Sequence, residues 1–368
     1  MHANSMRALS MTKRFQRGLV VGKFAPLHRG HEHLIQHAFD ACDEVIILSY
    51  CKPEFTGCEA ERREQWLEKL FPAARVLVAT DARLVSSLAD GAGFREVPSN
   101  DADEIIHRRF CGFLCQQVLG VNVEAVFTSE DYGEGFAAEL TRYFREQDSA
   151  VPEVRHVLVD RARKVVPVSG TLLRADVHAN RGWLSPAVYA SFVRRICLLG
   201  GESSGKSTLA EALARELDTC HVTEYGRDLW ELKKGALVFD DMLQIAERQI
   251  AAEEEAARRA NRYLCCDTSP LTTLFYSHHL FGRAEPALQR LADRPYDLTV
   301  LCEVDFPFVQ DGTRQSESLR SIQHNWYLRE LAERAIPFLL VTGSVADRVR
   351  AVGQVLTSAQ PSAPRSAV

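Results

Sequence analysis

The stretch Gly200-Gly201-Glu202-Ser203-Ser204-Gly205-Lys206-Ser207 decides how half of the chain folds. It matches the spacing G-x-x-x-x-G-K-[ST]. An apolar run at residues 196–199 precedes it and a helical pattern at 208–217 follows. Glycines allow a tight turn whose successive backbone N–H groups face inward, and the start of the next helix adds partial positive charge. Such a turn cradles phosphate. Gly200 and Gly205 would shape the loop, Lys206 would bridge the β- and γ-phosphates of ATP, and Ser207 would hold Mg2+.

Working outward, apolar runs at residues 196–200, 221–225, 263–268, 298–305 and 338–342 alternate with helical patterns, the longest at 242–261. Alternation of this kind predicts a parallel sheet covered on both faces. Glu224 and Arg227 follow the second run, where a carboxylate can take the proton of an attacking hydroxyl or grip a ribose diol. Asp267 closes the third run, a position for an acid that steadies magnesium together with Ser207. Arg314 and Arg320 fall in a polar stretch, residues 311–320, that reads as a lid over the moving phosphoryl group. Each alone also fits a surface ion pair; their order along the chain favours a small-molecule kinase.

The first half repeats the architecture without repeating the sequence, with apolar runs at residues 19–24, 45–50, 76–80, 125–129 and 154–160 and helical patterns at 59–70 and 103–119. Its first run closes on Gly22-Lys23-Phe24-Ala25-Pro26-Leu27-His28-Arg29-Gly30-His31, a His-x-Gly-His at a strand–helix turn. Two imidazoles three residues apart can both face the helix mouth, and Gly30 leaves room for phosphate. Nucleotidyl transfer needs no protein nucleophile, so positioning and charge neutralisation carry catalysis, roles that suit His28 and His31. After the fifth run, Ser169, Gly170, Thr171 and Arg174 make a second phosphate grip at a helix start, and Lys23 adds another cation.

The expected fold is therefore α/β, two doubly wound parallel-sheet domains: a Rossmann-like nucleotidyltransferase at residues 17–184 and a P-loop kinase at 195–357, joined by a connector at 185–194. Residues 1–16 read as a disordered arm, and 358–368 as a disordered tail. The length of 368 residues agrees with two domains of roughly 100–200 residues each. A net charge of −5 supplies no global field for a nucleic acid or an anionic membrane. The arm of 16 residues is too short for a DNA-reading helix pair, so DNA binding is not expected. No apolar run approaches the ~18 residues of a membrane span, and no signal-peptide core opens the chain, which makes the cytoplasm the expected compartment. Ten cysteines without paired C-x-x-C spacing read as buried free thiols rather than a zinc site. Homo-oligomerisation is left open.

These residues together resemble the bifunctional nicotinamide-nucleotide adenylyltransferase/ribosylnicotinamide kinase family (NadR-type). The likeness rests on residues 22–31, Glu61-Arg62-Arg63 with Trp66, and Ser169-x-Thr171-x-x-Arg174 in the first half. In the second it rests on residues 200–207, Glu224-Tyr225-Gly226-Arg227, Asp267-Thr268 with Thr272-Thr273, and Asp311-Gly312-x-Arg314. The resemblance implies two reactions. Nicotinamide riboside and ATP give the mononucleotide (NMN), and a second ATP donates AMP to NMN, giving NAD and pyrophosphate. The family often carries a second acid two residues after the position of Asp267; here Ser269 stands there. An active nucleoside kinase beside a degenerate, nucleotide-sensing first domain is the alternative expectation.

Overall fold

In the computed structural model, residues 13–87, 93–309 and 316–358 are described; Arg314, most of the expected arm and nearly all of the tail lie outside them. The chain divides into two compact units, Met1–Ser191 and Phe192–Val368, and the division falls within the segment read as a connector.

The first unit alternates β1 (Phe15–Val21), α1 (Arg29–Ala41), β2 (Cys42–Ser49), α2 (Ala60–Leu70), β3 (Arg75–Val78), α3 (Asp81–Ser87), α4 (Glu104–Phe113), β4 (Ala125–Thr128), α5 (Gly133–Arg145), β5 (Arg155–Leu158), α6 (Gly170–Ala175) and α7 (Pro186–Tyr189). Its five strands are all parallel in the order β3-β2-β1-β4-β5. Strand β1 begins at Phe15, earlier than the expected residue 19. Its opening residues are polar in sequence, but Arg17 pairs with Glu44 at 2.9 Å and the Gln16 N–H donates to Glu124 at 2.8 Å, while Phe15 is buried. On one face α4 and α5 press Phe110, Phe113, Phe136, Leu140 and Phe144 onto Leu19, Ile46, Leu48 and Val126. Each such side chain, fully buried, contributes about 1.5–3 kcal/mol.

The second unit runs β6 (Arg194–Leu199), α8 (Lys206–Glu216), β7 (His221–Val222), α9 (Tyr225–Leu232), α10 (Phe239–Ala257), β8 (Tyr263–Asp267), α11 (Pro270–Phe281), α12 (Pro286–Ala292), β9 (Leu298–Cys302), α13 (Glu317–Glu333), β10 (Phe338–Val341) and α14 (Val345–Ser358). Its sheet is again all parallel, in the order β10-β9-β6-β8-β7. Leu209, Leu213, Val352 and Leu356 cover one face, and Met242, Ile245, Leu271, Leu274 and Tyr327 the other. Helices α11 and α12 had no expectation in the sequence. Both open with a proline in the first turn, where its missing N–H costs nothing.

Both sheets have a central strand, β1 or β6, from which the chain winds first to one side and then to the other. Such a reversal opens a crevice at the carboxyl ends of the strands. All ten cysteines are unbridged, and all but Cys220 are buried. No helix among the described residues is long and apolar enough to cross a membrane.

Candidate active sites

At the carboxyl ends of β1, β4 and β5 lies a cavity of about 680 Å³, lined by Lys23, His28, Gly30, His31, Ser169, Gly170, Thr171 and Arg174. All the first-half residues expected from sequence to grip phosphate therefore meet in one place. His28 is the N-cap of α1 and takes the His31 N–H on Nδ1 at 3.4 Å, which leaves the ring proton on Nε2 when the imidazole is neutral. The two rings stack at 3.7 Å, with Phe24 edge-on to His31 at 4.9 Å. A Cβ on Gly30 would lie 3.1 Å from the His28 ring, so the glycine makes room for an imidazole as well as for a ligand. His31 Nδ1 is buried without a hydrogen-bond partner among the described residues. Ser169 caps α6 by accepting from the Leu172 N–H at 3.2 Å, and Arg174 donates to the Ala25 carbonyl at 2.5 Å and to Thr171 Oγ1 at 3.1 Å. Arg63 is fully buried, forks onto Glu54 at 2.7 and 2.9 Å, and reaches the Lys23 carbonyl at 3.4 Å, bracing the turn from behind.

Burial, then the positive charge of Arg163, pulls the pKa of His28 down to about 4; burial, His28 and Arg163 lower His31 likewise. Both rings are thus neutral in the folded protein at pH 7. A histidine whose folded pKa lies below its unfolded value of about 6.5 favours the fold above that pH. As pH falls from 6.5 towards 4, the unfolded chain takes up a proton that the fold refuses. His28 alone then removes about 3 kcal/mol. Thermal denaturation of the first unit followed over this window should therefore depend less steeply on pH in His28→Asn than in the unmodified chain.

In the second unit the P-loop is built as its sequence requires. Gly205, the N-cap of α8, has φ +83, and a Cβ at Gly201 would lie 2.5 Å from the Arg320 carbonyl. Lys206 Nζ donates to the carbonyls of Gly200 and Gly201 at 2.9 and 3.1 Å, poised over the loop. Beside it is a cavity of about 290 Å³ lined by Glu202, Lys206, Glu224, Arg227, Trp230, Thr272, Tyr276 and Gln323, among others. Glu224 precedes α9, 3.8 Å from Arg227. Desolvation, then the charge of Asp267, raises its pKa, with Lys206 and Arg227 opposing. Asp267 ends β8, buried, and its Oδ1 has no hydrogen-bond partner among the described residues. With the Ser207 hydroxyl in the first turn of α8, that oxygen fits a magnesium ion, which takes one or two protein ligands and completes its shell with phosphates and water. Ser269, where the family often has an acid, instead caps α11 through the Leu271 N–H at 3.3 Å.

Arg320 departs from expectation. It lies in the first turn of α13 rather than in a lid loop, is buried, and donates to the Phe306 carbonyl at 2.6 Å. The Ser316 cap at 3.1 Å begins the helix before it, drawing Arg320 into the packed body.

Several contributors carried no sequence signal. Arg163, Arg108 and His107 line the first cavity from separate segments. Tyr276 donates to Glu202 at 3.0 Å across the second. Arg348, fully buried on α14, donates to the Ser204 carbonyl of the P-loop at 2.7 Å, pairs with Asp305 and stacks on Phe306 at 4.4 Å. Of the missed residues, Arg348 had the nearest thing to a cue: it is an arginine on an otherwise buried helix face.

Residues 195–348 match the model of an AAA domain family. Over 342 residues the chain is 30% identical to the trifunctional NAD biosynthesis/regulator protein NadR of Salmonella typhimurium, covering 88% of this chain and 78% of the relative. The Escherichia coli protein of the same description is 29% identical over 340 residues, with the same coverage. Among solved structures, a NadR protein in complex with NR superposes with TM-score 0.63 at 20% identity, covering 92% of this chain and 95% of the other. A NadR complex with NAD and AMP-PNP gives TM-score 0.62 at 19% identity, covering 92% and 96%.

Proposed function

Because the chain belongs to the NadR family, we propose that it is a bifunctional transferase of NAD biosynthesis, phosphorylating nicotinamide riboside in its second unit and adenylylating the resulting NMN in its first. The observation that carries this reading is that one chain holds two separate phosphate grips, each opening into its own cavity. A single-step kinase has no use for the first.

In the second cavity the 5′-hydroxyl of the riboside attacks the γ-phosphorus of ATP. A P–O bond forms as the bond to ADP breaks, and Glu224 takes the hydroxyl proton. Its raised pKa suits it to that task at neutral pH. Ser207 and Asp267 would hold magnesium, whose charge offsets that of the β- and γ-phosphates. Lys206 leaves its loop carbonyls for the same phosphates. In the first cavity a phosphate oxygen of NMN attacks the α-phosphorus of ATP, the α–β bridge breaks, and pyrophosphate departs. Arg174 offsets the charge that develops on it, and His28, His31, Ser169 and Thr171 stabilise that charge as hydrogen-bond donors.

Chromatography of the products from ATP, magnesium and nicotinamide riboside tests the whole scheme. NAD and pyrophosphate are expected. Accumulation of NMN without NAD would mean that the first unit only senses nucleotides. The roles of the two acids separate kinetically: Glu224→Gln should lower kcat with the magnesium requirement unchanged, whereas Asp267→Asn should raise the magnesium concentration giving half-maximal rate. If Glu224→Gln mainly raises KM for the riboside, the residue grips ribose instead.

A further inference from the structure

We infer that Arg163 is an additional phosphate-binding residue of the first cavity, held by Glu130 until the nucleotide's phosphates draw it inward. This inference rests on the reading of that cavity as an adenylyl-transfer site. Arg163 lies on the loop joining β5 to α6, outside both motifs, yet it lines the cavity together with His28, His31 and Arg174. The loop is held in one form by Asp160, whose carboxylate accepts the N–H groups of Lys164, Val165 and Val166 at 2.9, 3.1 and 3.2 Å and whose carbonyl accepts that of Arg163 at 2.8 Å. Asp160 and Arg163 both adopt left-handed backbone, φ +49 and +48. Conformations of this kind are strained in non-glycine residues and concentrate at functional sites.

Electrostatics point the same way. The positive charge of Arg163 acts on both imidazoles and is the largest charge effect at His28. Its protein partner is Glu130, 3.1 Å away, with both side chains about half exposed at the cavity rim. An exposed pair of this kind is weak. A polyphosphate offers several charges and matches the planar guanidinium fork two oxygens at a time. Exchange of Glu130 for phosphate is therefore favourable. It adds a full positive charge where pyrophosphate leaves, whereas the neutral histidines offer only hydrogen-bond donors.

The test uses the full-length chain and three variants, with NAD formation from NMN and ATP as one readout and riboside phosphorylation as the control for folding. Arg163→Gln should reduce kcat/KM for ATP in adenylyl transfer roughly 10²-fold with the kinase unchanged, and Arg163→Lys should recover part of the loss. Glu130→Gln should lower KM for ATP by up to about fivefold, because it removes the competing carboxylate. The second readout needs no turnover: added pyrophosphate should shift the ring-proton NMR signals of His28 and His31 in the unmodified chain and much less in Arg163→Gln. If the pyrophosphate shifts occur but NAD is not formed, the adenylyl-transfer reading fails and the phosphate grip stands. Equal shifts in the unmodified chain and Arg163→Gln, or no shifts in either, overturn the inference, as does unchanged adenylyl transfer in Arg163→Gln.

Discussion

Lys206→Ala is expected to lower phosphorylation of nicotinamide riboside by roughly 10²–10³-fold, the size of effect seen when one preorganised charge contact to a reacting group is lost. Conversion of NMN to NAD should continue at the rate of the unmodified chain. The asymmetry follows from position. Lys206 opens α8 in the second unit, and among the described residues its ammonium donates to the carbonyls of its own loop, at 2.9 and 3.1 Å. Its ammonium is half-buried rather than part of the apolar core, so alanine leaves the sheet, the Gly205 cap and the Arg348 brace in place. The loss then appears in turnover and not in the melting temperature. Separate assays starting from the riboside and from the mononucleotide check the result. Loss of both activities in a chain that still melts cooperatively would sink the two-site scheme.

His31→Ala should have the converse outcome, cutting NAD formation from NMN by ~10²–10³-fold while kinase turnover is unchanged. Here the side chain is half-buried and stacked, so the substitution also costs stability. Two ring contacts disappear, with His28 at 3.7 Å and Phe24 at 4.9 Å, and such pairs contribute about 0.5–1.5 kcal/mol each. His31→Gln separates the effects, because it fills more of the space and retains a donor. Recovery of thermal stability in His31→Gln without recovery of rate identifies the imidazole itself as the group the reaction needs. Full activity in His31→Ala would make the pair a packing device.

Much of both sites was legible because phosphate binding is a local property of the chain. A loop of glycines between strand and helix, or a small hydroxyl residue with an arginine one turn later, needs only its own backbone to form the grip. Gly200 to Ser207, His28 to His31 and Ser169 to Arg174 are each assembled within eight residues or fewer. The alternation of apolar runs likewise implied two parallel sheets, since the central strands are buried on both faces and joined by helical crossovers. Strand ends were less legible where polar residues complete them, as Gln16 and Arg17 do on β1.

The sequence by itself thus determined the architecture and brought the residues of each proposed grip together, both written in backbone conformation and short spacing. Tertiary structure alone decided which distant side chains complete them. Arg163 and Glu130 are 33 positions apart and Ser204 and Arg348 are 144 apart, joined only because parallel strands bring all their carboxyl-end loops to one edge. A charged residue on such a loop has no periodicity to betray its direction. Arg320 shows the consequence: its surroundings in sequence are those of a solvent-facing lid, yet the Ser316 cap starts a helix that buries it against the Phe306 carbonyl. Which of an arginine's five donors meet phosphate and which meet backbone is settled by packing, because the guanidinium satisfies either equally well.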